Sequence, residues 1–231
     1  MKKGFIIAID GPLASGKGTI AKKLAAVLQG VDLYTGAMYR SLALFCINNE
    51  INLDNTQEVI NQLQKVSVSY VDGKIELNGN DVTSAIQESA VAEGASVVGV
   101  IPEVRKELVA RQQIIGNQER SHGKIVIVEG RDIGTVVFPD AALKIYLTAS
   151  ETVRAQRRFA QHKNNGDKRS FEEMLADVKV RDERDTKRET DPLASNPEKL
   201  GYFVLDNSNL NEKETVDAII AELRRRNLIH D

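Results

Sequence analysis

The segment Phe5-Ile-Ile-Ala-Ile9-Asp10-Gly11-Pro-Leu-Ala-Ser-Gly16-Lys17-Gly18-Thr19 limits the possible folds more than any other part of the chain. An apolar run of strand length stops at Asp10, a glycine-bearing turn follows, and an amphipathic stretch begins at once. Ile20, Leu24, Val27 and Leu28 recur there at helical spacing behind Lys22 and Lys23. A strand that feeds a helix through such a turn aims free N–H groups and the helix's positive end at the loop. The glycines let that backbone curl around phosphate oxygens. Gly11, Pro12, Leu13, Ala14, Ser15, Gly16, Lys17, Gly18 and Thr19 are therefore candidate ligands of a nucleoside triphosphate. Lys17 is the residue that can reach the terminal phosphates.

Gly18 stands where many loops of this kind carry a Ser or Thr that holds Mg²⁺, and the hydroxyl comes one residue later at Thr19. The expected metal is then held mainly by water and by the nucleotide, with no protein ligand assigned. No Asn-Lys-x-Asp segment occurs, which speaks against a guanine-reading switch protein.

Further short apolar runs read as buried strands: Ile125–Val128, Leu143–Leu147, Tyr202–Leu205 and a weaker one at Val31–Leu33. Helical stretches lie between them, ending in one from about Glu212 to Arg226 with Val216, Ile219, Ile220 and Leu223 on a stripe. This alternation predicts an α/β fold with a parallel sheet covered on both faces. Two regions interrupt it. Val66–Val71 alternates apolar and polar residues, and Asp72-Gly73 then turns the chain into Lys74–Leu77, a hairpin signal. Residues 151–190 are highly charged, with Asn164-Asn165-Gly166 read as a turn between two helices. With no linker of Pro, Gly and Ser, the whole chain reads as a single domain. Its core covers 1–62, 85–150 and 191–231, with an insert at about 63–84 and a further region at about 151–190.

The chain has 231 residues, and its 31 Lys and Arg against 33 Asp and Glu leave a formal net charge of −2. That balance, with no Trp and only 5% aromatic residues, argues against a nucleic-acid binder, so any anion site is local. The single cysteine, Cys46, cannot form an internal disulfide and reads as a small buried hydrophobe. The apolar runs are far shorter than the ~20 residues of a membrane helix, and none reads as a targeting segment. The expectation is a soluble, cytoplasmic protein. His122, His162 and His230 lie in polar contexts and read as surface residues.

Phosphoryl transfer depends on positioning and charge neutralisation, so the informative residues are arginines near strand ends. Arg131 and Asp132 follow the strand Ile125–Val128, on the side where parallel sheets bind ligands; a local Arg131–Asp132 salt bridge is the plain alternative. Arg181, Asp185 and Arg188 share one helix face by spacing, a pattern that solvated ion pairs also explain. The same alternative holds for Arg154, Arg157, Arg158, Arg184 and Lys187. Arg40 lies one helical turn past Gly36, and Thr35 reads equally well as a helix N-cap.

Together, Ile9–Thr19, Tyr34–Arg40, Pro102–Arg105, Gly130–Asp140 and Arg181–Arg188 give a chain that resembles bacterial cytidylate kinases along nearly its whole length. The Gly-Lys-Gly-Thr form is shared with other nucleoside monophosphate kinases; the 130–140 segment and the hairpin are more particular. The resemblance implies a P-loop kinase fold with a five-stranded parallel sheet, a small antiparallel β insert that binds the monophosphate, and a helical lid. It implies an ATP:(d)CMP phosphotransferase that uses Mg²⁺ with ATP, and the expected oligomeric state is a monomer. In that reading Lys17, Arg131, Arg188 and Arg157 act on the transferring group, and Arg158 joins the ATP site along with Arg154. Arg40, Arg131 and Arg188 hold the CMP phosphate. Arg181 and Asp185 meet the ribose, with Thr35 where relatives often have Ser, while Ser96, Arg105 and Asp132 read cytosine. The cytosine N4 amine is a donor that a carboxylate accepts, whereas uracil presents an acceptor there. Leu13 and Ala14 replace a Ser-Gly pair common in the family's loop. Asp10 and Asp132 are the candidates for an outer-shell contact to the metal. The alternatives are another small-molecule P-loop kinase, of UMP, AMP or shikimate type, and a non-catalytic nucleotide-binding module.

Overall fold

The computed structural model describes residues 4–71, 73–164 and 169–230, and divides into two compact units. The first comprises residues 1–33 and 115–231, the second residues 34–114.

The apolar runs form the strands of the first unit's sheet. They are β1 (Phe5–Asp10), β2 (Val31–Tyr34), and three later ones, whose ranges follow with the second unit's elements in chain order. The second unit contributes α2 (Gly36–Asn48), α3 (Thr56–Ile60), β3 (Val68–Val71), β4 (Lys74–Leu77), β5 (Asn80–Asp81) and α4 (Ser89–Val98). The helix α5 (Pro102–Ser121) then leads to β6 (Ile125–Gly130), β7 (Leu143–Thr148), α6 (Glu151–Asn164), α7 (Phe171–Lys187), β8 (Phe203–Asp206) and α8 (Glu212–Arg225), while α1 (Lys17–Leu28) follows β1.

The sheet is five-stranded and parallel in the order β2-β6-β1-β7-β8. Central β1 pairs Phe5 with Ile125 through Asp10 with Gly130 on one side, and Ile7 with Leu143 through Asp10 with Tyr146 on the other. Its residues from Ile6 to Asp10 are buried, as a strand covered on both faces requires. On one face Ile20, Leu24, Val216, Ile219 and Leu223 pack on Ile7, Ile9, Leu143 and Ile145. Each such side chain contributes about 1.5–3 kcal/mol by leaving water. The stripe predicted for α1 needs one correction: Val27 is 61% exposed, and Ala21 and Ala25 complete the buried face instead. Adding a Cβ at Gly116 of α5 would bring it 2.5 Å from the Phe138 ring, so only glycine lets that helix approach.

The charged 151–190 region is two helices, α6 and α7. Ser170 and Glu173 form a capping box that starts α7. Asn164 is the last residue of α6, and the rest of the turn expected at 164–166 lies outside the described residues.

In the second unit, β3 and β4 pair antiparallel from Val68–Leu77 to Val71–Lys74, and β5, too short to read from sequence, extends this sheet. Gly73 has a φ of 77°, as the hairpin turn demands; Asp72 lies outside the described residues. The Arg111 guanidinium donates to the carbonyls of Val66 (2.6 Å) and Leu63 (3.0 Å), which ties the start of the hairpin to α5. A Cβ at Gly94 would lie 2.8 Å from Leu53 Cδ1 and 3.2 Å from Ala43 Cβ, so a side chain there would displace the Leu53 tip and crowd the packing of α2 on α4.

Candidate active site

In the first unit the loop Gly11–Gly16 leaves the C-terminal end of β1 and opens α1, with Gly16 at φ 91° in the N-cap position. Gly11 has φ 152°, and a Cβ on it would collide with the Leu147 carbonyl oxygen. Ala14 takes a left-handed conformation at φ 59° despite its Cβ. Lys17 is 5% exposed and folds back over the loop, donating from Nζ to Pro12 O at 2.8 Å and to Ser15 Oγ at 3.4 Å. Burial lowers its ammonium to about 7, helped by the positive charge of Arg131 and opposed by Glu129, Asp185 and Asp10. Thr19, the displaced hydroxyl, is exposed.

Two arginines of α6 grip this loop. Arg154 donates to Leu13 O at 3.0 Å and Ala149 O at 3.0 Å, and forks onto Asp182 at 3.0 and 2.6 Å. It is buried, which overturns the reading of a solvated helix-face pair. Arg157 donates to Ser15 O at 3.3 Å, to Asn207 Oδ1 at 3.0 Å and to Asn207 O at 2.9 Å. Arg158 lies half-buried on the same helix.

The strand end of β6 carries a second cluster. Arg131 donates through Nε to Asp185 Oδ2 at 2.6 Å, so its partner is Asp185 and not the adjacent Asp132. Burial pulls the Arg131 guanidinium down, but Asp185 more than offsets this and the net direction is up. Asp185 is pushed up by burial and down more strongly by Arg131, Arg181 and Arg188, ending below the usual carboxylate range. Arg188 stands 3.7 Å from Asp132 Oδ1 and donates to Asp191 O, from Nε at 2.7 Å and also from Nη2. The shared-face reading of Arg181, Asp185 and Arg188 needs correction. The helix ends at Lys187, and Arg188 is extended at φ −59°, ψ 141°.

Sequence reasoning missed several residues. Glu129 is 7% exposed, and a Cβ on Gly18 would lie 3.7 Å from its Oε1. A strand-terminal acid beside a glycine loop was the available signal. Asp32 has a buried Oδ1 without a hydrogen-bond partner, and burial, with Glu129 nearby, raises its carboxyl to about 6. Asn207 and Asp182 gave no signal, because their partners are distant in sequence. Asp10 is not available to a metal's water shell. It is 0% exposed, and both its oxygens accept hydrogen bonds, from Ile133 N, Gly134 N and Tyr202 Oη.

The second unit holds the other expected residues. Thr35 is buried and occupies the N-cap position of α2, as the helix-start alternative has it, but its side chain makes no capping bond. Arg40 donates to Ile86 O at 2.7 Å and lies 6.0 Å from the Tyr34 ring centroid. Ser96 is half-buried on α4, and Arg105 on α5 is 2% exposed and donates to Gly99 O at 3.3 Å.

A family model described as cytidylate kinase matches residues 7–225. The chain belongs to the cytidylate kinase family. A cytidylate kinase of Caldanaerobacter subterraneus subsp. tengcongensis is 41% identical over 95% of this chain and 94% of its own length. One from Neisseria meningitidis serogroup A is 39% identical over 97% of this chain and 100% of its own. As a family member the chain is a nucleoside monophosphate kinase, an enzyme of ATP-dependent phosphotransfer. Among solved structures, a gluconokinase from Sinorhizobium meliloti 1021 superposes with a TM-score of 0.51 at 14% identity, covering 99% of this chain and 97% of its own. That likeness is one of fold. No helix among the described residues of this cytidylate kinase family member is long and apolar enough to cross a membrane.

Proposed function

We propose that this chain transfers the γ-phosphoryl group of ATP to CMP or dCMP, giving CDP or dCDP and ADP. The observation that carries this reading is the set Arg131, Asp132, Arg181, Asp185 and Arg188, gathered beside the strand end of β6 in a cytidylate kinase family member. Cations there suit a phosphate, and the carboxylates suit hydroxyls and a base amine.

The loop Gly11–Thr19 holds the ATP phosphates, with Lys17, Arg157 and Arg158 offsetting their charge. Arg131 and Arg188 hold the CMP phosphate, whose oxygen attacks in line. Arg181 and Asp185 bind the ribose and Asp132 accepts from the cytosine N4 amine. In the second unit, Thr35, Arg40, Ser96 and Arg105 are assigned to CMP binding. Functionally the chain is one kinase domain, with the 63–84 insert serving the monophosphate and the 151–190 lid serving ATP. Closure excludes water, which prevents wasteful ATP hydrolysis.

Mg²⁺ bound with ATP would supply neutralisation of charge on the transferring group. The residues present fit such an ion: Gly18 offers no hydroxyl, while Glu129 and the unpartnered Asp32 Oδ1 offer acceptors to its water shell. The working form is a cytoplasmic monomer, to be checked by light scattering and fractionation.

The deciding experiment is a coupled assay of ADP formation with CMP, dCMP, UMP, AMP and shikimate, omitting ATP and acceptor in turn. ADP formed with CMP and dCMP far ahead of the others supports the reading. ADP formed with another acceptor and not with CMP refutes it.

A further inference from the structure

Asp10 ends β1 and is fully buried, yet its carboxylate is the hub of three hydrogen bonds. Oδ1 accepts from the Ile133 N–H at 2.7 Å; Oδ2 accepts from the Gly134 N–H at 2.7 Å and from the Tyr202 hydroxyl at 2.7 Å. Ile133 and Gly134 begin a single π turn, Ile133–Val137, directly after Asp132. The first N–H groups of any helical turn lack partners within it, so the Asp10 carboxylate completes this one from a neighbouring strand. Burial raises the Asp10 carboxyl to about 6 against the opposing pull of those donors, so each donor matters to keeping the carboxylate charged.

Both partners of the hub are tightly set. The Tyr202 ring stands edge-on to Tyr146 at 6.2 Å and 89°. A Cβ on Gly134 would lie 2.7 Å from the Tyr202 hydroxyl and 2.9 Å from its Cζ, so the backbone must be bare for the hydroxyl to reach Asp10. The backbone of Asp10 is already paired in the sheet with Gly130 and Tyr146 on its two sides. Its carboxylate is therefore an anchored arm, and the element it restrains is the turn carrying Arg131 and Asp132.

We propose that Asp10 and Tyr202 are positioning residues for pyrimidine recognition: they fix the Arg131–Gly134 turn so that Asp132 keeps the orientation that separates an amine from a carbonyl on the base. This rests on the CMP reading above. Losing one donor perturbs the turn and leaves the phosphate loop in place, because the sheet holds the start of that loop independently.

Tyr202→Phe deletes one oxygen and keeps the ring. In steady-state assays it should raise KM for CMP about tenfold and cut the CMP-over-UMP ratio of kcat/KM about tenfold, with KM for ATP within about twofold. Gly134→Ala, which pushes on the hydroxyl from the other side, should shift the same ratio in the same direction. Equal losses on CMP and UMP, or a lowered Tm with discrimination intact, would show a merely structural tie and overturn the proposal. A wild-type enzyme inactive with CMP would overturn the parent reading and this one together. A wild type active with CMP and a Tyr202→Phe variant of unchanged discrimination sinks only this one.

Discussion

Lys17 and Arg157 are held by neutral oxygens, of Pro12, Ser15 and Asn207, whereas Arg131 is held by the carboxylate of Asp185 and Arg188 stands near that of Asp132. The consequences for charge are opposite. With only dipoles in direct contact, burial dominates: the Lys17 ammonium falls to about 7 and the Arg157 guanidinium also shifts down. With a carboxylate in contact, Arg131 shifts up. The phosphate loop is therefore a pocket whose positive charge is completed by an arriving anion. In the cluster at β6 the carboxylates of Asp132 and Asp185 already offset part of the charge of Arg131, Arg181 and Arg188, so a phosphate bound there would share its arginines with carboxylates.

The largest test of that contrast removes the carboxylate-held cation. Arg131→Met should lower kcat/KM for CMP about 10³-fold while KM for ATP stays within about threefold. It should also cost about 2 kcal/mol of stability, since Asp185 is left without its main partner at a site only partly open to solvent. Arg131→Met with Asp185→Leu should regain the Tm and none of the activity. If the double variant stays as unstable as the single one, the pair is not what sets stability there. A matched loss of ATP affinity would move Arg131 to the donor side.

Asp132→Ala asks whether the carboxylates of the cluster carry recognition or only hold arginines. Accepting from an amine and facing a carbonyl differ by a lost hydrogen bond and an unpaired buried group. The CMP-over-UMP ratio of kcat/KM should therefore fall about a hundredfold. Equal losses on both substrates would reduce Asp132 to a partner of Arg188.

On the donor side the effect is a proton. With a pKa of about 7 in the free enzyme, Lys17 is mostly neutral at pH 8 and mostly charged at pH 6. Adjacent phosphates favour the ammonium, so ATP binding at pH 8 should take up about one proton at Lys17. Calorimetric titrations in buffers of different ionisation enthalpy measure this directly. Uptake at pH 8 should vanish in Lys17→Met, and the Lys17 contribution should fade toward pH 6. Equal proton traffic in wild type and variant would mean that Lys17 stays charged over the empty loop.

The same contrast separates what was legible in the sequence from what was not. Strands β1 and β6 were readable because burial on both faces leaves unbroken apolar runs, β7 because Leu143, Ile145 and Leu147 recur at alternate buried positions, and the loop because its chemistry is contiguous. Arg131 and Asp132 could be singled out, but not their partners: Asp185 lies 54 residues from Arg131. Asp10 was the opposite case. Sequence offered it as a candidate for an outer-shell contact to the metal, and contacts to Ile133 and Tyr202, 123 and 192 residues away, consume it. Arg188 kept its helical spacing on paper, yet α7 stops one residue earlier, because Arg188 turns extended and bonds to Asp191. Spacing along a helix predicts a face only as far as the helix runs.

The smallest effect concerns the backbone of the phosphate loop. Ala14 sits at φ 59°, a conformation that costs an L-residue roughly 1–2 kcal/mol and glycine nothing. Against this, glycine adds about 0.5–1 kcal/mol of unfolded-state entropy. Ala14→Gly should therefore stabilise the free enzyme by about 0.5–1 kcal/mol, or about 1–4 °C in Tm for a chain of this size. A neutral-held loop should bind ATP no worse once the strain is gone, because Lys17 is fixed by Pro12 and Ser15 and not by residue 14. Differential scanning calorimetry with an ATP titration checks both halves. A lower Tm would mean that the Ala14 methyl packs favourably enough to outweigh its backbone. A weaker ATP affinity at raised Tm would mean that the strain itself preorganises the loop, and the two sides of the site would then differ in backbone as well as in charge.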